Sequence, residues 1–270
     1  ELKELAQANQ MDVVDRVDQV LDRPNAATYF GSGKIDEIKN IAAAEEATTV
    51  ITNDELSPSQ LSNLNDEVGV RVIDRTALIL EIFAKRAQTK EAKIQVQIAQ
   101  LEYQLPRLHT AANQRLDQQT GGGAGFANRG AGETQIEMDR RVIQKHISHL
   151  RHELKEINKS EATKRALRDK SAIPTAALVG YTNAGKSTLM NKMIERYGIS
   201  REKEVFEKDM LFATLDTSVR KLTLPDQKRF ILSDTVGFVS KLPTHLIEAF
   251  KSTLTEAAKA DLLIQIIDYS

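Results

Sequence analysis

The stretch GYTNAGKSTL at residues 180–189 decides how the chain is interpreted. Gly180, Gly185, Lys186 and Ser187 occupy every fixed position of the Gly-x-x-x-x-Gly-Lys-Ser/Thr pattern that binds nucleotide phosphates. The apolar segment IPTAALVG precedes it and the amphipathic segment STLMNKMIERYG follows, which is the strand–loop–helix context that the pattern requires. The stretch therefore predicts a nucleoside triphosphate site at the end of a buried strand.

Phosphate chemistry gives each residue of this loop an expected role. The glycines let successive N–H groups turn towards the phosphates, and the helix N-terminus adds partial positive charge. Lys186 is a catalytic candidate that bridges the β- and γ-phosphates, and the Ser187 hydroxyl is expected to bind Mg²⁺. The expected nucleotide-binding residues of the loop are Gly180, Tyr181, Thr182, Asn183, Ala184, Gly185, Lys186, Ser187 and Thr188.

A second phosphate-binding element lies in KRFILSDTVG at residues 228–237, a predicted strand that ends in Asp-x-x-Gly. Asp234 is expected to reach Mg²⁺ directly or through water, and the Gly237 N–H to contact the γ-phosphate as a catalytic group. Thr235 and Val236 complete this predicted binding segment. Asp-x-x-Gly alone is a weak pattern, but behind a predicted hairpin and downstream of Lys186 it is specific.

Two further residues are candidates in the same region. Thr214, in EKDMLFATLDTSVR at residues 207–220, is expected to sense the γ-phosphate by binding Mg²⁺, as a third catalytic and metal candidate. Thr217 is instead expected to start the next strand. Asn183 has two interpretations, a ligand for a monovalent cation such as K⁺ or an asparagine that favours a turn.

Residues 1–84 alternate strand and helix patterns and predict a small, mostly parallel α/β domain. GSGK at 31–34 lacks the first glycine of a phosphate loop and predicts a turn that enters a helix. The predicted strands are MDVVDRVDQV (11–20), ATTVITN (47–53) and VRVID (70–74), and the predicted helices are KIDEIKNIAAAEE (34–46) and SPSQLSNLNDEVG (57–69).

Residues 85–171 predict an antiparallel helical hairpin. Apolar residues at helical spacing indicate helices over 89–119, interrupted at Pro106, and over 134–170. The connecting loop, 120–133, contains six of the chain's 13 glycines, which makes it costly to order and suggests a partner that orders it; a plain surface loop is the alternative. The formal charges of residues 1–84, 85–170 and 171–270 are −9, +7 and +1, so the hairpin either meets a polyanion or simply has a charged, solvated surface.

Composition excludes several classes of protein. The chain of 270 residues has no cysteine, which excludes disulfides and thiolate chemistry and suits a reducing compartment. No apolar run approaches the roughly 18 residues of a membrane span. We therefore expect a cytoplasmic protein without stable membrane insertion. We further expect a monomer that does not bind DNA, although composition does not decide either point.

Taken together, five segments resemble the HflX family of translational GTPases, within the Obg-HflX group of Ras-like P-loop GTPases. They are ATYFGSGKIDEI, the glycine-rich GGGAGF with RGAGETQIE, VGYTNAGKSTLMN, LFATLDTSVR and DTVGFVSKLPTHLIEAFKSTLTEA. The resemblance covers nearly the whole chain. It implies an N-terminal α/β domain, a helical hairpin and a Ras-like GTPase domain, here 1–84, 85–171 and 172–270, with the last domain truncated.

The resemblance also implies a function. HflX proteins act on the large ribosomal subunit and are associated with splitting or rescuing stalled ribosomes, and their hairpin loop approaches ribosomal RNA. Arg129 is the residue of the loop to which an RNA contact is transferred. Phe238 stands where Ras-like proteins carry a water-orienting glutamine, an apolar replacement that is typical of HflX. Intrinsic GTP hydrolysis is therefore expected to be slow unless a partner or cation adds ~10³- to 10⁵-fold.

One departure concerns the base. No Asn-Lys-x-Asp element follows the predicted strand LLIQIIDYS at residues 262–270, so guanine specificity, and with it GTP or GDP as the ligand, is implied by the resemblance alone. This chain by itself is expected to bind nucleotide weakly or not at all, which a sub-micromolar GTP affinity would contradict. A small-molecule P-loop kinase and a non-catalytic RNA-binding module are the alternative functions.

Overall fold

A computed structural model gives the fold and describes residues 1–20, 22–108, 127–169, 173–198, 218–239 and 257–269. Within the helix over 127–169 it describes the side chains of residues 136–160 only. The chain divides into two compact units, one of Glu1–Glu81 and Gln100–His149 and the other of Ile82–Ala99 and Leu150–Ser270. Each unit contains parallel strands, which confirms the α/β class.

The first unit is built around a two-stranded parallel sheet. Its elements, in chain order, are α1 (Leu2–Ala8), α2 (Ser32–Ala44), β1 (Thr49–Thr52), α3 (Pro58–Val68) and β2 (Arg71–Asp74). The crossover helix α3 lies between the two strands in the sequence, as parallel pairing requires. The predicted helices and the second and third predicted strands of this region are therefore confirmed.

Local chemistry explains why α3 begins and ends where it does. The Ser57 hydroxyl accepts the Gln60 N–H, and the Gln60 side chain accepts the Ser57 N–H, which is a capping box. Pro58 occupies the first turn, where its missing N–H costs nothing. Gly69, at φ 78°, ends the helix in the left-handed conformation that glycine adopts without strain.

The predicted strand over residues 11–20 is wrong. These residues form neither strand nor helix, and most of their side chains are exposed, including Val14 and Val20. Val17 alone among the valines of the segment packs against the core of the unit. A strand is stabilised by pairing, and β1 and β2 pair with each other rather than with this acidic segment.

A buried carboxylate joins the end of β2 to two later elements. Asp74 is fully buried and accepts hydrogen bonds from the Leu56 N–H at 3.1 Å, the Ala77 N–H at 2.8 Å and the Tyr103 hydroxyl at 2.9 Å. Arg107 lies 3.4 Å from the same carboxylate, with its guanidinium over the Tyr103 ring. The Ala77 bond makes Asp74 the N-terminal cap of the next helix.

That helix, α4 (Arg75–Arg86), and α1 were not predicted from the sequence. The predicted hairpin helices are α5 (Lys90–Gln104) and α6 (Ala127–Asp169). A 3-10 turn over Leu105–Arg107 confirms that Pro106 interrupts the first of them. An ion pair of 2.5 Å between Lys90 and Glu153 joins the first turn of α5 to α6.

The boundaries predicted for the glycine-rich loop are wrong at one end. The loop was predicted over 120–133, but α6 begins at Ala127, so the second half of that segment is helical. A glycine inside a helix costs only about 1 kcal/mol relative to alanine, which a helix of 43 residues tolerates at its first turns. Residues 109–126 lie outside the described part of the chain.

The second unit contains a four-stranded sheet of order β4–β5–β3–β6. Its elements are β3 (Thr175–Gly180), α7 (Lys186–Tyr197), β4 (Ser218–Thr223), β5 (Arg229–Asp234) and β6 (Leu262–Ile266). β3 pairs in parallel with β5 and β6, and β4 pairs antiparallel with β5, which confirms the predicted hairpin. The core between the sheet and α7 consists of Ala176, Leu178, Met190, Ile194, Leu222 and Leu232.

Candidate functional site

The predicted phosphate loop connects β3 to α7 at the carboxyl edge of the sheet. Gly180 ends β3 at φ +152°, and a Cβ there would lie 2.3 Å from the carbonyl oxygen of Ile266 on β6. Asn183 at φ 62° and Gly185 at φ 91° are both left-handed, and Gly185 is the N-cap of α7. Gly180 is thus required by the close approach of β6, and Gly185 by its left-handed backbone conformation.

Lys186 begins α7, and its ammonium group turns back over the loop. Its Nζ donates to the carbonyl oxygens of Gly180 at 3.0 Å and Tyr181 at 2.5 Å. An ammonium has three N–H donors, so this arrangement holds the group in place and leaves one donor for a phosphate oxygen. Burial lowers the pKa of Lys186, and the nearby Asp234 carboxylate partly opposes that effect.

Ser187 and Asp234 come together although they belong to separate motifs. The Ser187 Oγ donates to Asp234 Oδ2 at 2.7 Å, and Asp234 is fully buried at the end of β5. A hydroxyl and a carboxylate side by side are the oxygen ligands that Mg²⁺ uses beside substrate phosphates. The pair therefore fits the predicted metal site. The described residues contain no cluster of three or more His, Asp or Glu side chains that could hold a metal ion.

The segment after Asp234 packs directly on the phosphate loop. The Thr235 hydroxyl donates to the Leu178 carbonyl at 2.6 Å. A Cβ added to Gly237 would lie 2.6 Å from the Cα of Thr182, so only glycine fits there. Phe238 continues the contact, because Thr182 N–H donates to its carbonyl at 2.8 Å and its own N–H donates to the Gly180 carbonyl at 3.0 Å.

The structure brings most of the predicted site residues to one place, at the ends of β3 and β5 and the start of α7. They are Gly180, Tyr181, Thr182, Asn183, Ala184, Gly185, Lys186, Ser187, Thr188, Asp234, Thr235, Val236 and Gly237. Thr214 lies outside the described residues, as does Thr217. Arg129 lies in the first turns of α6, but its side chain is outside the described part.

Two contacts of the site were not predicted from the sequence. One is the main-chain pairing of Phe238 with the loop, for which the side chain at 238 gives no signal because any residue except proline can make it. The other is the approach of Gly180 to Ile266, which links the loop to a strand far along the chain. The apolar run of β6 indicates a strand, but it does not indicate the register of that strand.

Comparison with known families supports the same architecture. Residues 1–84 match the family model described as GTP-binding GTPase N-terminal, residues 86–168 match GTP-binding GTPase Middle Region, and residues 175–270 match 50S ribosome-binding GTPase. Over 270 residues the chain is 47% identical to a GTPase HflX of Caldanaerobacter subterraneus, covering 99% of this chain and 60% of that protein. The chain belongs to the HflX family of GTPases.

Other relatives give a consistent picture. The HflX of Escherichia coli is 43% identical over 245 residues, covering 91% of this chain and 55% of that protein. A crystal structure of a GTP-binding protein from the archaeon Sulfolobus solfataricus in complex with GDP is 28% identical, with a TM-score of 0.51, and covers 99% of this chain and 66% of that one. This HflX chain thus spans about 60% of the length of the first relatives it matches.

The architecture of this HflX chain includes no helix, among those described, that is long and apolar enough to cross a membrane. The apolar run in α4 and the one in β6 belong to elements of ordinary size in the two units.

Proposed function

We propose that this chain is the core of a ribosome-associated GTPase, which binds GTP and GDP with Mg²⁺ and hydrolyses GTP. The observation that carries the proposal is the junction of the two phosphate motifs, where Ser187 and Asp234 share a hydrogen bond of 2.7 Å beside the Lys186 ammonium. At this junction the phosphate loop and the Asp-x-x-Gly segment meet at one edge of one sheet. P-loop enzymes that hydrolyse nucleoside triphosphates need this arrangement.

Each residue of the junction has a proposed role. Main-chain N–H groups of the loop and of the start of α7 bind the β-phosphate, and Lys186 places positive charge between the β- and γ-phosphates. Ser187 and Asp234 hold Mg²⁺, which neutralises charge on the phosphates, and Thr214 completes its ligand set when GTP is bound. The Gly237 N–H donates to the γ-phosphate. Asn183 is the proposed ligand if K⁺ also takes part.

The proposed partner is the large ribosomal subunit, and the proposed process is the splitting or rescue of ribosomes in the cytoplasm. Support comes from the family description of residues 175–270 as a 50S ribosome-binding GTPase and from the +7 charge of residues 85–170. A positively charged surface gives RNA affinity that falls as salt rises. The hairpin, with Arg129, is proposed to face ribosomal RNA, and 1–84, 85–171 and 172–270 are proposed as the domains of a monomer.

The test is GTP hydrolysis by the full-length protein with and without large ribosomal subunits, in K⁺ and in Na⁺. We expect slow hydrolysis alone and strong stimulation by the subunits. Subunit binding that is equal with GTP, GDP and no nucleotide, together with no hydrolysis, would instead identify a non-catalytic RNA-binding module. Transfer of the γ-phosphate to a small molecule rather than to water would identify a kinase.

A further inference from the structure

One side of α6 carries a basic or titratable side chain at every helical turn. The helix is continuous over Ala127–Asp169, and the buried residues Ile136, Ile147 and Leu150 share one of its sides. On the opposite side, exposed residues spaced by three or four positions form what we call the α6 stripe: Arg141, Lys145, His149, His152, Lys155 and Lys159. Residues at this spacing follow one another along the helix about 5.4 Å apart. The stripe is therefore roughly 27 Å long.

The exposed surface of this part of α6 is positive. Among the exposed residues of 136–160, six are Arg or Lys and three are Asp or Glu: Arg140, Arg141, Lys145, Arg151, Lys155 and Lys159 against Glu137, Asp139 and Glu156. One of the acidic groups, Glu137, pairs with Arg141 at the start of the stripe, at 3.3 Å. Alternating signs are typical of a helix surface that meets only water, whereas a row of positive side chains along a helix is typical of contact with a nucleic acid. The stripe fits the second description better than the first.

The two middle positions of the stripe are histidines. Three of the chain's five histidines lie within residues 146–152, so side chains that ordinarily change charge between pH 5 and 8 are concentrated on this helix. When His149 and His152 are neutral, the charges at Lys145 and Lys155 are about 15 Å apart along the helix. That separation exceeds the Debye length of about 8 Å at physiological ionic strength, so the two halves of the stripe act separately. When both imidazoles are charged, the row is continuous.

The surroundings of His149 and His152 contain charges of both signs. The charged groups within one turn of these histidines, and the partner of one of them, are Lys145, Glu153, Lys155 and Glu156 of α6 and Lys90 of α5, which pairs with Glu153 at 2.5 Å. Both imidazoles are exposed, so water and salt screen these neighbours. A row of phosphates in contact with the stripe would add a strong negative field, which favours the charged form of imidazole. Contact with a polyanion and protonation of the pair should therefore reinforce each other.

We propose that the α6 stripe binds the phosphate backbone of RNA and that protonation of His149 and His152 makes this binding depend on pH. The inference rests on the proposed function and goes beyond it by naming a contact surface and its regulation. RNA presents phosphates at regular intervals, which suits side chains that recur once per helical turn. Phosphate contacts position a protein on RNA and carry no sequence information, so the stripe contributes affinity rather than base recognition.

The test measures binding of the full-length protein to large ribosomal subunits, and to RNA extracted from them, at pH 7.5 and pH 6.0 with a non-hydrolysable GTP analogue. We expect affinity for both to rise by roughly tenfold at pH 6.0, about threefold for each exposed histidine that pairs with a phosphate. The plot of log affinity against log salt should also become steeper by about one to two units, because each new phosphate contact releases bound counterions.

Three variants separate the histidine pair from other groups that titrate. His149→Gln with His152→Gln stays neutral at both pH values and should bind at pH 6.0 as weakly as the unsubstituted protein does at pH 7.5. His149→Lys with His152→Lys stays charged and should bind at pH 7.5 as tightly as the unsubstituted protein does at pH 6.0. His146→Gln changes an exposed histidine of α6 outside the stripe and should keep the full pH dependence. Gln and Lys are good helix formers, so all three variants should fold.

Four outcomes would overturn this inference. Three of them leave the proposed function intact: binding to subunits that does not depend on pH, a pH dependence that persists in the double glutamine variant, or a pH dependence that His146→Gln removes equally well. A pH response with intact subunits but none with the extracted RNA would assign the stripe to an acidic protein surface and so overturn the RNA assignment. Unsubstituted protein that binds neither the subunits nor the RNA at either pH would overturn the proposed function as well.

Discussion

The Ser187 hydroxyl donates a hydrogen bond of 2.7 Å to Asp234 Oδ2 across 47 positions of sequence. The bond joins the first turn of α7 to the end of β5, and it places two oxygen ligands beside the Lys186 ammonium. The bond links the two phosphate motifs in this structure. On the proposed function, the same two oxygens would hold Mg²⁺ when nucleotide is bound.

Removing the Ser187 hydroxyl should remove most of the Mg²⁺ dependence of nucleotide affinity. In the full-length protein we expect Ser187→Ala to lose roughly 10- to 100-fold in GDP affinity at millimolar Mg²⁺, because a bond to a charged group is lost. Affinity without Mg²⁺ should change much less. Ser187→Thr keeps the hydroxyl and is the matched control. Titration with a fluorescent nucleotide over a range of Mg²⁺ checks this, and an equal loss with and without Mg²⁺ would exclude the assigned role.

Gly180 and Gly185 should differ in their tolerance of alanine. A Cβ at Gly180 meets the Ile266 carbonyl at 2.3 Å, whereas the space around Gly185 is open and only its φ of +91° opposes alanine. Gly180→Ala should cost about 3 kcal/mol of unfolding free energy through overpacking, and Gly185→Ala about 1–2 kcal/mol through backbone strain. Urea denaturation measures both. The opposite order would show that the approach of β6 to the loop is looser than described.

The Asp74 cluster should stabilise the first unit. Asp74→Ala takes from the partly buried Arg107 the nearer of its two carboxylate partners and removes the acceptor of three hydrogen bonds, so a loss of roughly 3–5 kcal/mol is expected. Tyr103→Phe removes one hydroxyl and should cost about 1 kcal/mol. A double-mutant cycle of the two substitutions, followed by urea unfolding, should give a coupling energy near that of the lost Tyr103 bond. Strict additivity would argue against the contact.

Tyr29 should make the protein less stable in alkali. Burial, and then its hydrogen bond to Asp54, raise the pKa of Tyr29 from 10.0 to about 12. Between these values the unfolded chain loses the phenol proton while the folded protein keeps it, so stability falls as pH rises from about 10 to 12. In Tyr29→Phe this part of the pH dependence should disappear, while neutral stability falls by about 1 kcal/mol. Unfolding at pH 9, 10 and 11 in both proteins checks it, and identical slopes would contradict the assignment.

The nucleotide motifs made most of the second unit predictable. A strand, a glycine loop and a helix in that order have one common structural solution, and Asp-x-x-Gly after a further strand must meet it at the same edge when the strands are parallel. β3, α7, the β4–β5 hairpin and the place of Asp234 follow from that logic. The attachment of Phe238 does not, because it uses main-chain groups that every residue except proline carries.

The first unit was less predictable where tertiary contacts decide the structure. Residues 11–20 have an apolar and acidic pattern compatible with a strand, but they have no pairing partner among the described strands. The helix α6 begins at Ala127, inside a glycine-containing stretch, because cooperative extension of a long helix outweighs local propensity. The N-terminus of α4 is capped by Asp74. The sequence pattern predicts Asp74 as the last residue of a strand, and it does not indicate that the same side chain caps the following helix.

The most direct test of the central claim is GTP hydrolysis by the full-length protein in the presence of large ribosomal subunits, compared with Lys186→Ala. Lys186 holds its ammonium beside the loop through the Gly180 and Tyr181 carbonyls, so its removal should abolish phosphate binding without disturbing residues 85–170. We predict subunit-stimulated hydrolysis that falls by about 10³-fold or more in the variant. Stimulated hydrolysis that is equal in both proteins would contradict the account.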